Sequence, residues 1–370
     1  METVKEGLAS IYTNGAFYNS KMRRLRDFSV LALKVFVSDS ARILDSTAAT
    51  GIRGIRYLLE AAPHGESVLL EINPKAYETL KSNIALNGLS KQATAFNTSV
   101  QSFANNNTAK IRFDVIDLDP FGTPAPYIYD LMKLANNKAL FMITATDTAT
   151  LCGAEGDACL RIYAAKPIKN EFCHEASIRI LLAYVAKIAA QFNFGIEPLL
   201  SIAELHYIRL FIKLNKGAKN AVISVKSIGT AASCSACHAF YYSFGIGMQE
   251  QKCKHCGNKL SYFGPLWLSS LYDKSVVGEM FDLAEEPGER STLQSMLNEY
   301  DTPFFYSLDK ITENMHIGSV KREEVIAALR NKGLYASATL FGSSAIKTNA
   351  SIDDVEQAVG EAHTKATLNK

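Results

Sequence analysis

Two stretches of the chain decide its fold: RILDSTAATGIRG at residues 42–54 and FDVIDLDPFG at residues 113–122. Each begins with a short apolar run that predicts a buried strand, and each continues through an acidic residue into small or turn-forming residues. Further strands are predicted over residues 67–72, 93–97 and 139–144. Helices are predicted between the strands over residues 52–59, 74–86, 99–104 and 125–135. Strands and helices that alternate at this spacing predict an α/β fold, with a parallel sheet and helices on both of its faces.

Length and composition are those of an ordinary globular protein. The chain has 370 residues, enough for about two domains. Hydrophobic residues make up 48% and charged residues 21%, which excludes disordered, collagen-like and coiled-coil chains. Lys and Arg number 39 against 37 Asp and Glu, a net charge of +2. A nucleic-acid partner would therefore have to meet a local basic patch rather than a globally basic protein.

The sequence shows no signal for secretion or membrane insertion. A charged segment followed by an apolar core is missing near residue 1. The longest apolar stretch, residues 178–190, is interrupted by Arg179 and Lys187 and is too short to cross a bilayer. We therefore expect a soluble, cytoplasmic protein with no membrane partner. No obligate protein partner is indicated, and we expect a monomer.

The sequence pattern changes after about residue 228, and we predict a first domain over residues 1–228 and a second over residues 229–370. The last elements predicted for the first domain are a long amphipathic helix and two β-rich runs that could extend the sheet at one edge, over residues 174–193, 197–215 and 220–228. A cysteine module opens the second domain. Residues 275–370 are predicted to be mainly helical with a β-prone stretch, as in a small α+β or winged-helix module.

The end of the first strand is a candidate binding place for a nucleoside. Ligands of open α/β sheets sit at the carboxyl ends of strands, and a small residue such as Gly51, after Asp45, lets the backbone approach a bound group. Glu71 ends the second strand, 20 residues after Gly51, where an acidic group accepts hydrogen bonds from ribose hydroxyls. The dinucleotide fingerprint GxGxxG is missing, which favours a nucleoside without phosphates, such as S-adenosylmethionine. The alternative is an ordinary strand–turn–helix on which Arg53 and Arg56 are solvated helix charges.

The residues after the fourth strand indicate chemistry on an amine. Asp119, Pro120 and Phe121 follow this strand and are expected beside the cofactor site. The ring of Phe121 offers a stacking surface for a planar base. The Asp119 carboxylate and a carbonyl of Asp119 or Pro120 can accept both protons of an exocyclic amine, which aims the nitrogen lone pair at an electrophilic methyl group. The alternative is a proline-containing turn in which Asp119 caps the next helix.

A segment near the amino terminus combines aromatic and basic residues. Residues 17–19 read FYN and precede a cluster of four basic side chains: Lys21, Arg23, Arg24 and Arg26. Basic residues next to aromatic ones suit a surface that neutralises a nucleic-acid backbone and stacks bases. The alternative is a surface helix with a half-buried Phe17.

Four cysteines form two closely spaced pairs, Cys234-x2-Cys237 and Cys253-x2-Cys256. Four thiolates with this spacing predict a tetrahedral structural zinc site. The alternative is two unligated pairs or transient disulfides. His238 and His255 sit beside the cysteines and are expected at the surface or around the ligands.

Three other cysteines, Cys152, Cys159 and Cys173, are candidate nucleophiles because methylation of pyrimidine C5 uses a cysteine. None of them follows a proline at a strand end, so we expect buried or inert thiols. The polar residues nearby could line the substrate mouth or start helices; they are Glu155, Asp157, His174 and Glu175.

Together these motifs resemble the tRNA (guanine-26 N2)-dimethyltransferase family of the archaeal and eukaryotic type. The matching segments are residues 7–27, 50–56, 119–122, 159–167 and 173–175 and the four-cysteine module. The resemblance covers most of the chain and is loose toward its carboxyl-terminal end. It implies S-adenosylmethionine as the methyl donor and the exocyclic N2 of a tRNA guanine as the acceptor, methylated twice.

The resemblance also implies roles for individual residues. Asp119, with Pro120 beside it, would bind the amine, and Phe17 and Phe121 would stack the base. Cofactor binding would fall to Arg26, Arg53 and Glu71, to which the strand-end argument adds Asp45 and Gly51. Where the family has an Asp-Ala pair for adenine, this chain has Ser99 and Val100.

The sequence therefore predicts a Rossmann-like S-adenosylmethionine-dependent methyltransferase domain and a second, smaller α+β domain that binds zinc and tRNA. The predicted activity is tRNA (guanine26-N2)-dimethyl transfer. One alternative is another S-adenosylmethionine-dependent RNA amino-methyltransferase, acting on adenine N6 or a different tRNA guanine. A second is a non-catalytic zinc-ribbon RNA-binding protein, against which the intact Glu71 and Asp119 argue.

Overall fold

The structure is a computed structural model that describes residues 3–204, 206–245, 247 and 250–368. The chain begins with an antiparallel hairpin of two short strands, β1 Thr3–Glu6 and β2 Ala9–Tyr12. One turn of 3-10 helix then leads into the first α-helix, α1 Arg23–Phe36. Within the described ranges, no helix is both long enough and apolar enough to span a bilayer.

A seven-stranded sheet follows the hairpin and α1. Its strands are β3 Arg42–Asp45, β4 Glu66–Leu70, β5 Ala93–Phe96, β6 Phe113–Leu118, β7 Ala135–Ala145, β8 Phe194–Glu204 and β9 Tyr207–Lys216. Their order is β5-β4-β3-β6-β7-β9-β8; the first five are parallel, and β9 is antiparallel to both of its neighbours. The predicted parallel sheet is confirmed, and the β-rich run at 197–215 does extend it at one edge.

The helices that follow α1 in this half of the chain are α2 Ile52–Glu60, α3 Pro74–Leu86, α4 Val100–Asn105, α5 Ala125–Met132, α6 Thr148–Leu151, α7 Gly156–Tyr163, α8 Cys173–Gln191 and α9 Ala218–Lys226. The strand predicted over 220–228 is wrong over most of its length, because α9 occupies it. Ala221 and Ser224 are the buried residues of α9, and this spacing of three belongs to a helix face rather than a strand.

The strand order creates a crevice at the carboxyl ends of β3 and β6. The chain leaves β3 toward one edge through β4 and β5, and it returns on the other side of β3 as β6. Asp45 and Asp117, near the ends of these two strands, are partners in register. Open α/β sheets bind their ligands where the strand order reverses in this way. Completely buried side chains such as Val115 and Phe141 hold the central strands in place beneath the crevice.

Contacts between residues divide the chain into two compact units, and neither is a continuous stretch of sequence. The first unit contains the residues up to Thr148, Val185–Val225 and Ser275–Glu289. The second contains Ala149–Tyr184, Lys226–Lys274 and the residues from Arg290 onward. This differs from the predicted boundary between residues 228 and 229. The change in composition marks where the cysteine module begins, but packing rather than chain order defines a compact unit, and helix α8 runs through both.

The second unit holds two small antiparallel sheets. Strands β10 Ile228–Cys234, β11 Phe240–Phe244 and β12 Leu260–Trp267 form the first, in the order β11-β10-β12. Strands β13 Tyr306–Ser307, β14 Ala336–Thr339 and β15 Gly342–Thr348 form the second, in the order β13-β15-β14. The remaining helices of the chain are α10 Lys274–Leu283, α11 Pro287–Asn298, α12 Leu308–Asn314, α13 Arg322–Asn331 and α14 Ile352–Leu368. The α+β character predicted for this part of the chain is confirmed.

One apolar cluster connects the cysteine module to the carboxyl-terminal helices within the second unit. It contains Cys234 and Leu260 from the module together with Leu329, Ile346 and Val355. These elements therefore share a core, and the module does not stand as a separate appendage. Buried apolar surface of this kind supplies most of the stability of a small unit.

Candidate active site

A cavity of about 740 Å³ opens at the carboxyl ends of the central strands of the first unit. Its volume suits a ligand of nucleoside size together with part of a second ligand. Nine residues predicted for the site line it together: Phe17, Arg26, Arg53, Glu71, Ser99, Val100, Asp119, Pro120 and Phe121. Motifs as far apart in the sequence as those of Phe17 and Phe121 thus meet in one place.

Asp45 and Gly51, two of the predicted cofactor residues, do not line this cavity. Asp45 is buried, and its carboxylate accepts the backbone N–H of Gly54 at 3.0 Å. Gly51 precedes α2 with a φ of +78°, and a Cβ there would lie 2.4 Å from a methyl carbon of Leu80. Both residues shape the loop between β3 and α2 from behind the cavity wall, because that loop needs a left-handed residue and a partner for its first free N–H groups.

Asp119 lies at the cavity beside a buried guanidinium. Its Oδ2 accepts hydrogen bonds from Nε and Nη2 of Arg53 at 2.9 and 2.6 Å, and its backbone N–H donates to Oγ1 of Thr47 at 3.0 Å. Burial opposes ionisation, but the positive charges of Arg53 and Arg209 outweigh it and hold the pKa of Asp119 below its ordinary value. The side chain is therefore a fixed carboxylate at neutral pH.

A network of buried charges under Asp119 was not visible in the sequence. Arg209, on β9, donates to both carboxylate oxygens of Asp117, at 2.7 and 2.9 Å, and to the hydroxyl of Thr144 at 2.9 Å. The hydroxyl of Tyr57 also donates to Asp117. Both partners of the Arg209–Asp117 ion pair are completely buried. Nη1 of Arg53 lies 3.8 Å from Oδ2 of Asp117, so the Arg209–Asp117 pair lies directly beneath the Arg53–Asp119 pair.

Glu71 is held in place by the loops around it. Its carboxylate accepts the backbone N–H of Ala49 at 2.9 Å and that of Asn73 at 2.7 Å. Two oxygens have room for about four hydrogen bonds, so capacity remains for a ligand in the cavity. The predicted position of this acid at the end of the second strand of the sheet is correct.

Ser99 and Val100 start helix α4 at the cavity wall. The hydroxyl of Ser99 accepts the backbone N–H of Ser102 at 3.1 Å and caps the helix, while Val100 is buried. This position offers an apolar wall and a neutral hydroxyl where the family pattern has a carboxylate. The cavity is also lined by residues that the motifs did not indicate, among them Asn73, Tyr127, Thr146, His206 and Tyr207.

Phe17 and Phe121 touch each other at the cavity mouth. Their ring centroids are 4.7 Å apart with the planes 79° from parallel, an edge-to-face contact. Both rings are unusually exposed for their size, at 55% and 78%. Exposed aromatic rings at a cavity mouth have little structural value, which supports a role in contacting a ligand.

Arg26 is engaged by the amino-terminal segment rather than free in the cavity. Its guanidinium pairs with the carboxylate of Glu6, donates to the backbone carbonyl of Asn19 at 3.1 Å and lies over the ring of Tyr18. Glu6 also accepts a hydrogen bond from the hydroxyl of Tyr18 at 2.8 Å. These contacts fix the Phe17–Asn19 segment at the cavity mouth, so the structure places Arg26 as a support of that segment as well as a lining residue.

The other arginines named from the sequence also have structural partners. Arg53 and Arg56 are both buried, so the alternative that they are solvated helix charges is wrong. In the predicted basic cluster, Arg23 pairs with Asp27 at 3.6 Å and Arg24 pairs with Glu204, while Lys21 is exposed. The patch is therefore less positive than the sequence implied.

The four cysteines of the second unit meet in one cluster. Each pair of sulfur atoms in it lies within 4.8 Å; Sγ of Cys234 is 3.4 Å from that of Cys256, and Sγ of Cys237 is 3.5 Å from that of Cys253. Turns after β10 and before β12 bring the two pairs together.

The two histidines beside the cysteines point to acidic partners instead. Nδ1 of His238 lies 2.8 Å from Glu171, and Nδ1 of His255 lies 2.8 Å from Asp353.

Comparison with known proteins places this site in a family. A family model described as N2,N2-dimethylguanosine tRNA methyltransferase matches residues 2–360. The tRNA (guanine(26)-N(2))-dimethyltransferase of Pyrococcus furiosus is 36% identical over 360 residues, 92% of this chain and 91% of that protein. The protein of the same name from Methanothermobacter thermautotrophicus is 34% identical over 351 residues, 92% of this chain and 91% of that protein.

A solved structure is similar to this chain over nearly its whole length. The complex of Trm1 from Pyrococcus horikoshii with S-adenosyl-L-methionine has a TM-score of 0.86 and 31% sequence identity, and it covers 97% of this chain and 99% of that chain. The predicted methyltransferase fold is confirmed by this likeness. The chain belongs to the N2,N2-dimethylguanosine tRNA methyltransferase family.

Proposed function

We propose that the protein transfers two methyl groups from S-adenosylmethionine to the exocyclic N2 of guanine 26 in tRNA. The observation that carries the proposal is the single cavity that Asp119, Pro120 and Phe121 line together with Glu71. Glu71 is placed to bind the ribose of the methyl donor, and Asp119 is placed to bind the acceptor amine. The two acids need to share one cavity, because the methyl group passes directly from the donor to the amine. Membership of the family and the relatives' names support the same activity.

The cavity fits S-adenosylmethionine on the side of Glu71. The anchored carboxylate of Glu71 would accept hydrogen bonds from the ribose hydroxyls, and Ser99 and Val100 would lie along the adenine. When bound, the cofactor supplies an electrophilic methyl group. The other residues proposed to contact it are Arg26 and Arg53, whereas Asp45 and Gly51 act through the shape of the β3–α2 loop.

Asp119 would bind the acceptor amine. The N2 lone pair of guanine is delocalised into the ring, which makes it a weak nucleophile. Asp119, ionised and fixed by Arg53, and a backbone carbonyl of Asp119 or Pro120 would each accept a hydrogen bond from one N–H of N2 and so localise the lone pair. The positive charge that develops on nitrogen meets a carboxylate already in place, which lowers the barrier.

The same carboxylate can take the proton that N2 must lose after transfer. A methylated amine that still carries both protons and a positive charge is strongly acidic, so a weak base is sufficient. Asp119 has a side chain that is 25% exposed, which allows it to pass the proton to water. This return to the ionised form is needed before a second methyl group is transferred to the same nitrogen.

Phe17 and Phe121 would stack on the guanine. A base stacked on both sides needs two rings about 7 Å apart, twice the usual contact distance of about 3.5 Å. The rings here are 4.7 Å apart, so binding between them requires the rings to separate. The target base has to leave its own stack to reach the cavity, as in other enzymes that act on bases.

The four-cysteine cluster is proposed to hold a structural zinc ion. Four sulfurs at about 2.3 Å from a tetrahedral zinc ion lie about 3.8 Å from one another, close to the distances of 3.4 and 3.5 Å between paired sulfurs. The amide of Asn258 donates to Sγ of Cys256 at 3.3 Å, which stabilises a thiolate. The donor set therefore fits zinc.

The second unit is proposed to bind the tRNA backbone. Three lysines near the cysteines in the sequence, Lys252, Lys254 and Lys259, are exposed. Lys254 already pairs with Glu250 at 3.0 Å, so Lys252 and Lys259 are the stronger candidates to neutralise phosphates. These lysines offer local positive charge on a protein whose net charge is only +2.

The proposed activity is tested by mass spectrometry of nucleosides and fragments from tRNA treated with the protein and labelled S-adenosylmethionine. We expect N2,N2-dimethylguanosine at position 26 and no label in a matched tRNA with adenosine at that position. Label on adenine N6 or on another guanine would favour a different amino-methyltransferase. Position 27 is included because the Aquifex aeolicus relative, 30% identical over 381 residues, is named for guanines 26 and 27. Binding of tRNA without any transfer would indicate a non-catalytic RNA-binding protein.

A further inference from the structure

We propose that Cys152, Cys173 and His174 form a second metal site, for Zn²⁺ or a similar thiophilic divalent cation, with three protein ligands and one open coordination position. These residues belong to the second unit and take no part in the four-cysteine cluster. The sequence interpretation of Cys152 and Cys173 as buried or inert thiols does not anticipate this arrangement. The proposal stands independently of the activity proposed above.

The donor atoms already lie at separations that a metal ion can bridge. Sγ of Cys152 is 3.8 Å from Nδ1 of His174, and the three donor atoms, including Sγ of Cys173, all lie within 4.8 Å of one another. Around a tetrahedral zinc ion, with Zn–S of about 2.3 Å and Zn–N of about 2.0 Å, neighbouring donors are about 3.5–3.8 Å apart. Donor atoms within 4.8 Å of one another need to approach by no more than about 1 Å to reach these separations.

The backbone around the three residues is well defined. Cys173 and His174 are the first two residues of α8, a helix of 19 residues, and the hydroxyl of Ser177 donates to the carbonyl of His174 at 2.6 Å. Cys152 follows α6 and precedes Gly153, whose φ is +89°. A Cβ at Gly153 would lie 3.0 Å from the backbone of Ile168, so the turn packs closely there. The turn that presents Cys152 is thus fixed by packing on one side and by the helix on the other.

The chemistry of the donors selects the class of metal. Two thiolates and an imidazole favour zinc and other thiophilic ions over Mg²⁺ and Ca²⁺, which prefer oxygen ligands. Cys152 and Cys173 are half-buried and His174 is exposed, so an ion from solution can reach them. Three protein ligands leave a position for water or an added ligand, which distinguishes this site from a closed four-thiolate site.

The test uses the full chain, purified under reducing conditions and dialysed against a small excess of Zn²⁺, with zinc per chain measured by elemental analysis. We expect two zinc ions in the wild type and one in Cys152→Ala and in Cys173→Ala. Cys159→Ala, which removes a buried cysteine outside the three donors, is the matched control and should keep two. Failure of the four-cysteine site would lower the count equally in all four proteins, so the difference between them reports this site alone.

A titration with Co²⁺ gives a second readout. It uses a histidine variant, so it does not require the cysteine variants to fold. His174 is exposed, so His174→Ala should fold normally, and it should weaken the second of two Co²⁺ binding phases by roughly tenfold or more. The thiolate-to-cobalt absorbance of the first phase should stay unchanged. Equal zinc content and equal Co²⁺ spectra in the wild type, Cys173→Ala and His174→Ala would overturn the proposal. So would a Cys152–Cys173 disulfide in the reduced preparation, with no metal lost on substitution.

Discussion

At the scale of single residues, the two acids of the cavity differ in what holds them. Asp119 is paired with a guanidinium, Arg53, through one of its oxygens. Glu71 is held by two backbone N–H groups, of Ala49 and Asn73, and it has no ion pair within the part of the chain that the structure describes. The first arrangement keeps a charge in place for a reaction, and the second keeps acceptors in place for a neutral ligand. Substitution should therefore separate the two functions.

Asp119→Asn should slow methyl transfer by about 10²–10³-fold, since the loss of one preorganised electrostatic contact at a transition state has effects of this size. Affinity for S-adenosylmethionine should stay within a few-fold of the wild type. Glu71→Gln should show the opposite pattern, with weaker cofactor binding and a smaller change in the rate at saturating cofactor. Single-turnover rates on tRNA and calorimetric titration of the cofactor measure the two effects. A near wild-type rate in Asp119→Asn would return Asp119 to the role of a turn residue.

A buried acid of the first unit sets a pH dependence of stability. Burial, followed by the negative charges of Asp27 and Glu286, raises the pKa of Glu289 to about 7, from an ordinary value of 4.5. Arg24 and Arg56 offset these effects only in part. Between pH 4.5 and about pH 7, Glu289 of the folded chain keeps a proton that the unfolded chain has released. The free energy of unfolding therefore falls as the pH rises through this window.

Glu289→Gln should remove this loss, because glutamine resembles the protonated acid. Thermal melts should show equal stability for the variant and the wild type near pH 4.5. At pH 8 the variant should be more stable, by on the order of 3 kcal/mol at most. The exposed Glu285→Gln serves as the control and should follow the wild type at every pH. A variant that loses stability in parallel with the wild type would show that Glu289 is ionised in the folded chain.

At the scale of elements, buried charges fasten the amino-terminal hairpin to the helices behind it. Glu6, at the end of β1, is 1% exposed and accepts from Nε of Arg26 at 2.7 Å and from Nη1 of Arg56 at 2.9 Å. Arg26 belongs to α1 and Arg56 to α2. One carboxylate thus joins a strand to two helices and, through Tyr18, to the segment that carries Phe17.

Glu6→Ala should lower the free energy of unfolding by about 3–5 kcal/mol, the usual result when one partner of a buried ion pair is removed and the other charge is left behind. Glu66→Ala is the matched control, because its pair with Arg42, at 3.4 Å, is exposed. Its cost should be below about 1 kcal/mol. Urea unfolding followed by circular dichroism compares the two. Equal midpoints for both variants would show that the hairpin is held by its apolar contacts alone.

A helix start in the second unit shows how local sequence can be sufficient. The sequence places Ser351 three residues before Asp354, a spacing typical of a capping box. In the structure the two residues form reciprocal hydrogen bonds. The backbone N–H of Ser351 donates to Oδ2 of Asp354 at 3.0 Å, and the backbone N–H of Asp354 donates to Oγ of Ser351 at 3.2 Å. Aspartate replaces the usual glutamate here because its shorter side chain still reaches the N–H of the cap.

At the scale of the whole molecule, metal and fold should be coupled in the second unit. Cys234, Cys237 and Cys253 belong to the same apolar cluster as Tyr306 and Val355. Without a metal these sulfurs would take up protons and lose the bonds that a shared ion would provide, so the zinc ion proposed above would contribute directly to the stability of this unit.

Removal of zinc with a chelator should therefore raise amide hydrogen exchange in β10 to β12 and in α12 to α14. Exchange in β3 to β7 of the first unit should stay slow. Cys253→Ser should reproduce the pattern without a chelator. A uniform rise across both units would show that they unfold together, and no rise at all would show that the cluster needs no metal.

Much of the fold and much of the site could be predicted from the sequence. Continuous apolar runs are typical of strands that are buried on both faces, so the predicted bounds of β3 to β6 are close to the observed ones. The start of β7 is wrong by four residues, because most of its first residues, from Ala135, carry polar side chains that break the apolar run. The acids and aromatics at the strand ends were predicted to meet, because parallel strands bring their carboxyl ends to one edge of the sheet. The cysteine spacing likewise predicted a cluster, since two short turns are enough to bring four sulfurs together.

What the sequence alone determined are features with a short range along the chain: periodicity, turns, caps and motif spacing. Only the tertiary structure decided which charges pair, because Asp117 and Arg209, or Glu6 and Arg56, become neighbours through strand order and helix packing rather than through spacing. It also moved Asp45 and Gly51 behind the cavity wall, and it brought Cys152 to His174. Each of these contacts depends on the path of the backbone between distant segments, and a local pattern of residues carries no information about that path.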